Sequence, residues 1–190
     1  MSTTTSVSKN IFNSKFILNF VGVYDTGEPG NSYHWITDDI AVGDYSASYL
    51  PFRIIVNANM PHNHTTFRCV YERYIDFENK WYMILSMGMY DHESEPVVDY
   101  VTRMMPKLIQ ARTSDPQGKI LFHCYAGRSR SVALCIGYMV ETTGCTVDEA
   151  LEKIRTARPF ISPKEQYLTA LRTHYENSKS DVPSLHLVGN

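Results

Sequence analysis

Apolar positions follow two different periods along this chain. Between residues 36 and 90 they come in short, β-branched runs broken by turn residues, and beyond Pro96 they recur every three or four positions. "WITDDIAVGD" predicts a short strand ending at Gly43, and "FRIIVNAN" predicts a strand buried on both faces. Between them "YSASYLP" fits one or two helical turns cut off by Pro51. Cys69 to Tyr74 and Trp81 to Leu85 read as two further extended stretches. Val97, Val101, Met104, Met105 and Leu108 share one helical face, predicting an amphipathic helix of about four turns that Pro106 should kink or shorten. "KILFHC" is an apolar strand, and "SRSVALCIGYMVETTG" a buried helix with Gly144 placed to cap it. "TVDE" and "SPKE" carry capping-box spacing for two more helices, the second with Pro163 at its first position.

Strands first and strand–loop–helix afterwards imply an α/β fold: a four- to five-stranded, mostly parallel central sheet flanked by helices. Composition fits one globular unit, with 43% apolar and 20% charged residues. A net charge of −2 argues against nucleic-acid and membrane surfaces as partners. The four cysteines, Cys69, Cys124, Cys135 and Cys145, have neither disulfide-framework nor zinc spacing, so reduced thiols and a cytoplasmic or nuclear location are expected. The polar start "MSTTTSVSKN" has no signal pattern, and "VALCIGYMV" is too short to span a bilayer. His62 and His64 in "MPHNH" invite a metal reading, but without a third ligand a solvated loop is the better account. Met83, Met87 and Met89 are expected to pack in the core.

One phrase asks for more than packing. "HCYAGRSRS", residues 123–131, lies between the apolar strand and the buried helix, and holds the one Cys-x5-Arg spacing of the chain. That spacing alone is a weak signal. With His before, Gly three after, Ser following the Arg, a strand upstream and a helix downstream, it becomes a specific one. A loop curling onto a helix N-terminus aims successive N–H groups at one point, which then attracts anions. Gly127 lets that backbone bend, and Arg130 adds a planar fork for two phosphate oxygens. For Cys124 to be thiolate below neutral pH, a pKa near 8.5 must fall by roughly 3, worth about 4 kcal/mol. A helix dipole supplies at most about 2 kcal/mol, so loop amides, the Ser131 hydroxyl and Arg130 are expected to supply the rest.

A thiolate that takes phosphate from an ester needs a proton donor for the departing oxygen. Asp91, in the loop "MGMYDHESEP" before the long helix, is the candidate, with Glu93 as its rival. Such a loop could close over a bound substrate. Arg155 and Arg158 either reach a second phosphate or serve a helix end or an ion pair.

"GKILFHCYAGRSRSVALCIGYMV" resembles the signature strand, phosphate loop and helix of the dual-specificity phosphatases, within the cysteine-dependent protein tyrosine phosphatase superfamily. "ALEKIRTARPFISPKEQYLTAL" is similar to that family's closing helices, and "DDIAVGDYSAS" and "RIIVNAN" to its first strands. The resemblance covers about residues 35–176, taken as the catalytic domain, leaving an arm at 1–34 and a flexible tail at 177–190. It implies Cys124 as nucleophile through a phosphocysteine, Arg130 as the phosphoryl clamp, Ser131 stabilising the leaving thiolate, and Asp91 as general acid. The amides of Tyr125, Ala126, Gly127, Arg128, Ser129 and Arg130 would form the cradle, braced by His123. No metal or organic cofactor is implied.

Phosphorylated proteins are therefore the expected partners, with the arm at 1–34 available for homodimerisation or another contact. The chain lacks room for the long loops that deepen a tyrosine-specific pocket, so phosphoserine and phosphothreonine are expected beside phosphotyrosine. Tyr125 and Arg128 are expected at the rim, where Arg128 would favour a second negative charge. Two other readings stay open: the same fold acting on a phosphoinositide, glycan or RNA 5′ phosphate, or a phosphoprotein-binding module of low turnover.

Overall fold

Ile120–His123 has no polar side chain before its last residue, and all four positions are buried. A strand of that kind belongs in the middle of a sheet covered on both faces. The computed structural model, which describes residues 32–50, 52–59, 70–77 and 80–180, puts it there. In chain order the strands are β1 (Tyr33–Trp35), β2 (Ile40–Gly43), β3 (Ile54–Asn57), β4 (Val70–Phe77), β5 (Lys80–Met87) and β6 (Ile120–His123). The helices are α1 (Val97–Ser114), α2 (Arg130–Thr143), α3 (Val147–Ala157) and α4 (Glu165–Ser180). The sheet runs β1-β2-β6-β3-β5-β4. Its four inner strands are parallel, and β1 and β4 are antiparallel additions at the two edges. Counted from Ile40 these are the five strands expected. The sixth, β1, has only three residues and gave no run long enough to separate from β2.

Side-chain alternation sorts the sheet into two faces. Ile40, Val42, Ile54, Val56, Ile120 and Phe122 join the buried faces of all four helices in one large cluster. Ala41, Ile55 and Leu121 point the other way, into a smaller cluster with Phe52 and with Ala47 of the 3-10 turn Tyr45–Tyr49. The methionines Met83, Met87 and Met89 lie in the large core, and Cys135 is fully buried there.

The long helix α1 has 18 residues, about five turns rather than four. Pro106 neither stops nor shortens it. Its side is solvent-exposed, as is Thr102 one turn earlier, so the carbonyl left without a partner there can bond water. Gly144 caps α2 at φ 71°, and Thr146 and Glu149 complete the capping box of α3. The last helix starts at Glu165, beyond the position expected from "SPKE". The Ser162 N–H is engaged elsewhere, donating to the Arg128 carbonyl. His62, His64 and Cys69, most of the arm at 1–34, and residues 181–190 of the tail lie outside the described residues. No described helix is long and apolar enough to cross a membrane.

Helices α1 and α2 meet at a glycine. A Cβ on Gly137 would sit 2.6 Å from a methyl of Val101, itself 1% exposed and unable to move aside. Gly137→Ala should therefore lose about 1–2 kcal/mol of stability despite the better helix propensity of alanine. Urea unfolding checks this, and an unchanged or raised midpoint would refute the close approach.

Candidate active site

Parallel strands end together, so the carboxyl ends of β3, β5 and β6 lie side by side at one edge of the sheet, where open α/β sheets hold their ligands. The loop leaving β6 is Cys124–Ser129, and α2 begins at Arg130. Gly127 in this loop has φ 63°, and any Cβ there would fall 2.5 Å from the Gly43 backbone and 2.7 Å from Arg158 Nη2. Only glycine fits, for conformation and for space.

The loop's carbonyls turn away from the cleft. Arg158 Nε donates to the Gly127 carbonyl at 2.8 Å and Nη2 to that of Ala126 at 3.4 Å. The Ser162 N–H takes the Arg128 carbonyl at 2.8 Å, and the Tyr45 N–H that of Tyr125 at 3.1 Å. Arg158 is 1% exposed, and its guanidinium faces the back of the loop. Its Nη1 also bonds His34 Nδ1 of β1 at 2.9 Å, and its guanidinium lies 4.4 Å from the Phe160 ring centre. Desolvation lowers its pKa, and the Asp44 and Cys124 charges act against that. Arg155 is exposed and bonds Glu152 at 3.2 Å.

Cys124 sits on the floor of this loop, 3% exposed. Burial alone would raise its pKa, but the Arg130 charge, the Ser131 hydroxyl and the backbone N–H groups of Ser131 and Arg128 outweigh it, and the thiol is held below its ordinary value. The Ser131 hydroxyl donates to Cys124 Sγ at 3.3 Å. Burial, opposed by a backbone bond at Cys124 and reinforced by the Arg130 charge, lowers His123 to about 4, so its ring is neutral at physiological pH. It packs beside the Tyr45 ring, with centroids 6.2 Å apart.

Arg130 is anchored by one nitrogen. Its Nη1 reaches the carbonyls of Ala58 at 3.3 Å and Met89 at 3.1 Å, and Asn59 Oδ1 at 3.3 Å. Its Nε–H is buried and has no partner among the described residues. A buried, unsatisfied donor is costly unless something arrives to accept it. The Nε–Nη2 edge of a guanidinium suits two oxygens of one phosphoryl group.

A cleft of about 240 Å³ opens over these groups, lined by Asp91, Cys124, Tyr125, Ala126, Arg128, Ser129, Arg130 and Ser162. The phrase 123–131 and Asp91, 33 positions before Cys124, thus meet in space. Ser129 Oγ donates to Asp91 Oδ1 at 3.3 Å. Glu93 is exposed and does not line the cleft. Tyr125 is 46% exposed at the rim, and Arg128, also exposed, is steered by its Nε bond to the Phe160 carbonyl at 3.0 Å. Asn59, Ser162 and the carbonyls of Ala58 and Met89 were not signalled by the sequence, because three of them act through backbone groups. Among the described residues no cluster of three or more His, Cys, Asp or Glu side chains is placed to hold a metal ion.

Residues 40–177 match the family model of the dual specificity phosphatase catalytic domain. A probable dual specificity protein phosphatase of Dictyostelium discoideum is 29% identical over 102 residues, covering 52% of this chain and 25% of that protein. Dual specificity protein phosphatase 19 of Mus musculus is 29% identical over 96 residues, 50% of this chain and 43% of its own length. The chain thus spans less than half of these curated relatives. Human DUSP28 has the same fold at 16% identity, with a TM-score of 0.61 over 78% of this chain and 95% of its own.

The thiolate fraction of Cys124 rises with pH, so alkylation by iodoacetate should reach half its maximal rate below the ordinary thiol range. Ser131→Ala should move that midpoint up by about one pH unit, the loss of one bond to a charged sulfur. A midpoint unmoved by the substitution would remove the hydroxyl from the account.

Proposed function

Since the chain belongs to the dual specificity phosphatase family, we propose that it is a cysteine-dependent phosphatase acting on phosphotyrosine and on phosphoserine or phosphothreonine in proteins. The observation carrying this reading is a buried Cys124 whose thiol is held down by Arg130 and Ser131, beneath a cleft edged by an inward loop and an unpaired Arg130 Nε–H.

Phosphate oxygens would accept the loop amides and the Arg130 fork, leaving phosphorus in line with Cys124 Sγ. The thiolate forms the S–P bond as the ester P–O bond breaks, and Asp91 gives its proton to the departing oxygen. In the second half, water attacks phosphorus, its proton goes to Asp91, and the S–P bond breaks to regenerate the thiolate. The Ser131 hydroxyl donates to that sulfur as charge returns to it. No step calls for a metal or an organic cofactor. The cleft is lined by loop residues and by Arg130 at the first position of α2, which favours a shallow site open to short and long phosphorylated side chains.

A second reading keeps the chemistry and changes the substrate. Arg128, exposed at the mouth with its guanidinium oriented by Phe160, favours a substrate with another negative charge, such as a phosphoinositide.

Purified protein should hydrolyse p-nitrophenyl phosphate in the presence of chelator, with inhibition by vanadate. Cys124→Ser should abolish turnover, and activity surviving it would end the proposal. Asp91→Asn should cut kcat for phenyl phosphate by about 10²-fold and affect the better leaving group far less. On a panel of phosphopeptides, phosphoinositides, phosphoglycans and 5′-phosphorylated RNA, preference for the peptides supports the first reading. Preference for the lipids supports the second, and tight phosphopeptide binding without phosphate release would point to a binding module.

A further inference from the structure

Asp91 lies in an exposed loop, and an acid that must meet one departing oxygen cannot wander. The backbone on either side of it is tied from below. Tyr167 of α4 is fully buried, and its hydroxyl lies 3.2 Å from the Tyr90 carbonyl oxygen and 2.9 Å from that of His92. These are the two residues flanking Asp91. A single O–H shared between them ties the peptide plane just before the carboxylate-bearing residue and the plane that follows His92. At the start of the same loop, the Tyr100 hydroxyl of α1 donates to the Gly88 carbonyl at 2.9 Å and lies 3.1 Å from Glu95 Oε2. The loop expected to close as a mobile flap is therefore held at its base by two tyrosines from different helices.

The tether has a rigid foundation. Leu168 and Leu171, neighbours of Tyr167 on α4, are buried in the main core, so the hydroxyl cannot follow the loop if the loop moves. Burial, with the nearby charges of Asp91 and Glu95, pushes the Tyr167 phenol above its usual range. It therefore stays a donor at neutral pH.

We infer that Tyr167 is a positioning residue for the proton donor, holding Asp91 over the cleft through the carbonyls of Tyr90 and His92. The inference rests on the reading of Asp91 as general acid. Tyr167 touches no substrate. Its hydroxyl matters only when the departing oxygen needs a proton, and the ring's packing matters for every substrate. Those two contributions separate cleanly, because Tyr167→Phe deletes the first and keeps the second.

The test compares kcat and KM of the full chain, Tyr167→Phe, Asp91→Asn and the double variant on phenyl phosphate and p-nitrophenyl phosphate. Tyr167→Phe should lower kcat on phenyl phosphate about tenfold, a fraction of the whole effect of a general acid, with KM unchanged and less than about threefold loss on the better leaving group. In the Asp91→Asn background the same substitution should cost nothing further, since the group it positions is gone. Equal loss on both esters, no loss on either, or a full additional loss in the double variant overturns the inference while Asp91→Asn still discriminates between the esters. If Asp91→Asn itself lowers both esters equally, the acid assignment fails and takes this inference with it.

Discussion

Amides can converge on an anion only where the carbonyls of the same peptides find partners on the outside. In this protein a buried guanidinium supplies two of them. Arg158 takes the carbonyls of Ala126 and Gly127, and the Ser162 N–H a few residues on takes that of Arg128. A buried backbone carbonyl left unpaired costs about 1–3 kcal/mol, so a loop turned this way without its clamp would relax and lose the ring. The α3–α4 connection is thus part of the site, although only Ser162 reaches the cleft. Gly127 answers the same demand from the other side, since the left-handed turn and the Gly43 backbone leave no room for a side chain.

The second arginine organises the opposite wall. Through Nη1, Arg130 gathers the ends of β3 and β5, at Ala58, Asn59 and Met89, while its unpaired Nε–H remains for a ligand. One side chain therefore joins two strand ends and contributes to holding the Cys124 thiol down. Two residues beyond Met89 stands Asp91, so the segment that anchors the fork also delivers the carboxylate. Ser129 closes the circuit by bonding Asp91 from within the loop. Cys124, Ser131, Arg130, Ser129 and Asp91 are thus placed by a few linked hydrogen bonds rather than independently.

The residues of the strand-to-helix turn beneath the cleft were legible in the sequence. Cys124, Gly127, Arg130 and Ser131 fall at fixed spacing because one strand-to-helix turn holds all of them, and local geometry of that kind is written locally. The helix period of 97–108, the Gly144 cap and the "TVDE" box were legible for the same reason. Asp91 was nominated over Glu93 by chemistry and order in the chain, which could not bring it to Ser129.

What the residues alone left open depended on contacts between segments far apart in the chain. The three-residue strand β1, the insertion of β6 between β2 and β3, and Pro106 inside an uninterrupted helix follow from packing and solvent exposure, which override short-range preference. Arg158 was open to a second-phosphate, a helix-end or an ion-pair reading, because a basic residue at a helix end looks alike in all three. Its bonds to the Ala126 and Gly127 carbonyls are set by tertiary packing. Tyr167 gave no signal at all, since a tyrosine on an apolar helix face reads as core until its hydroxyl is seen beside a particular pair of carbonyls. Sequence spacing thus determined which groups share the strand-to-helix turn, and the meeting of distant strands and helices determined where each is held.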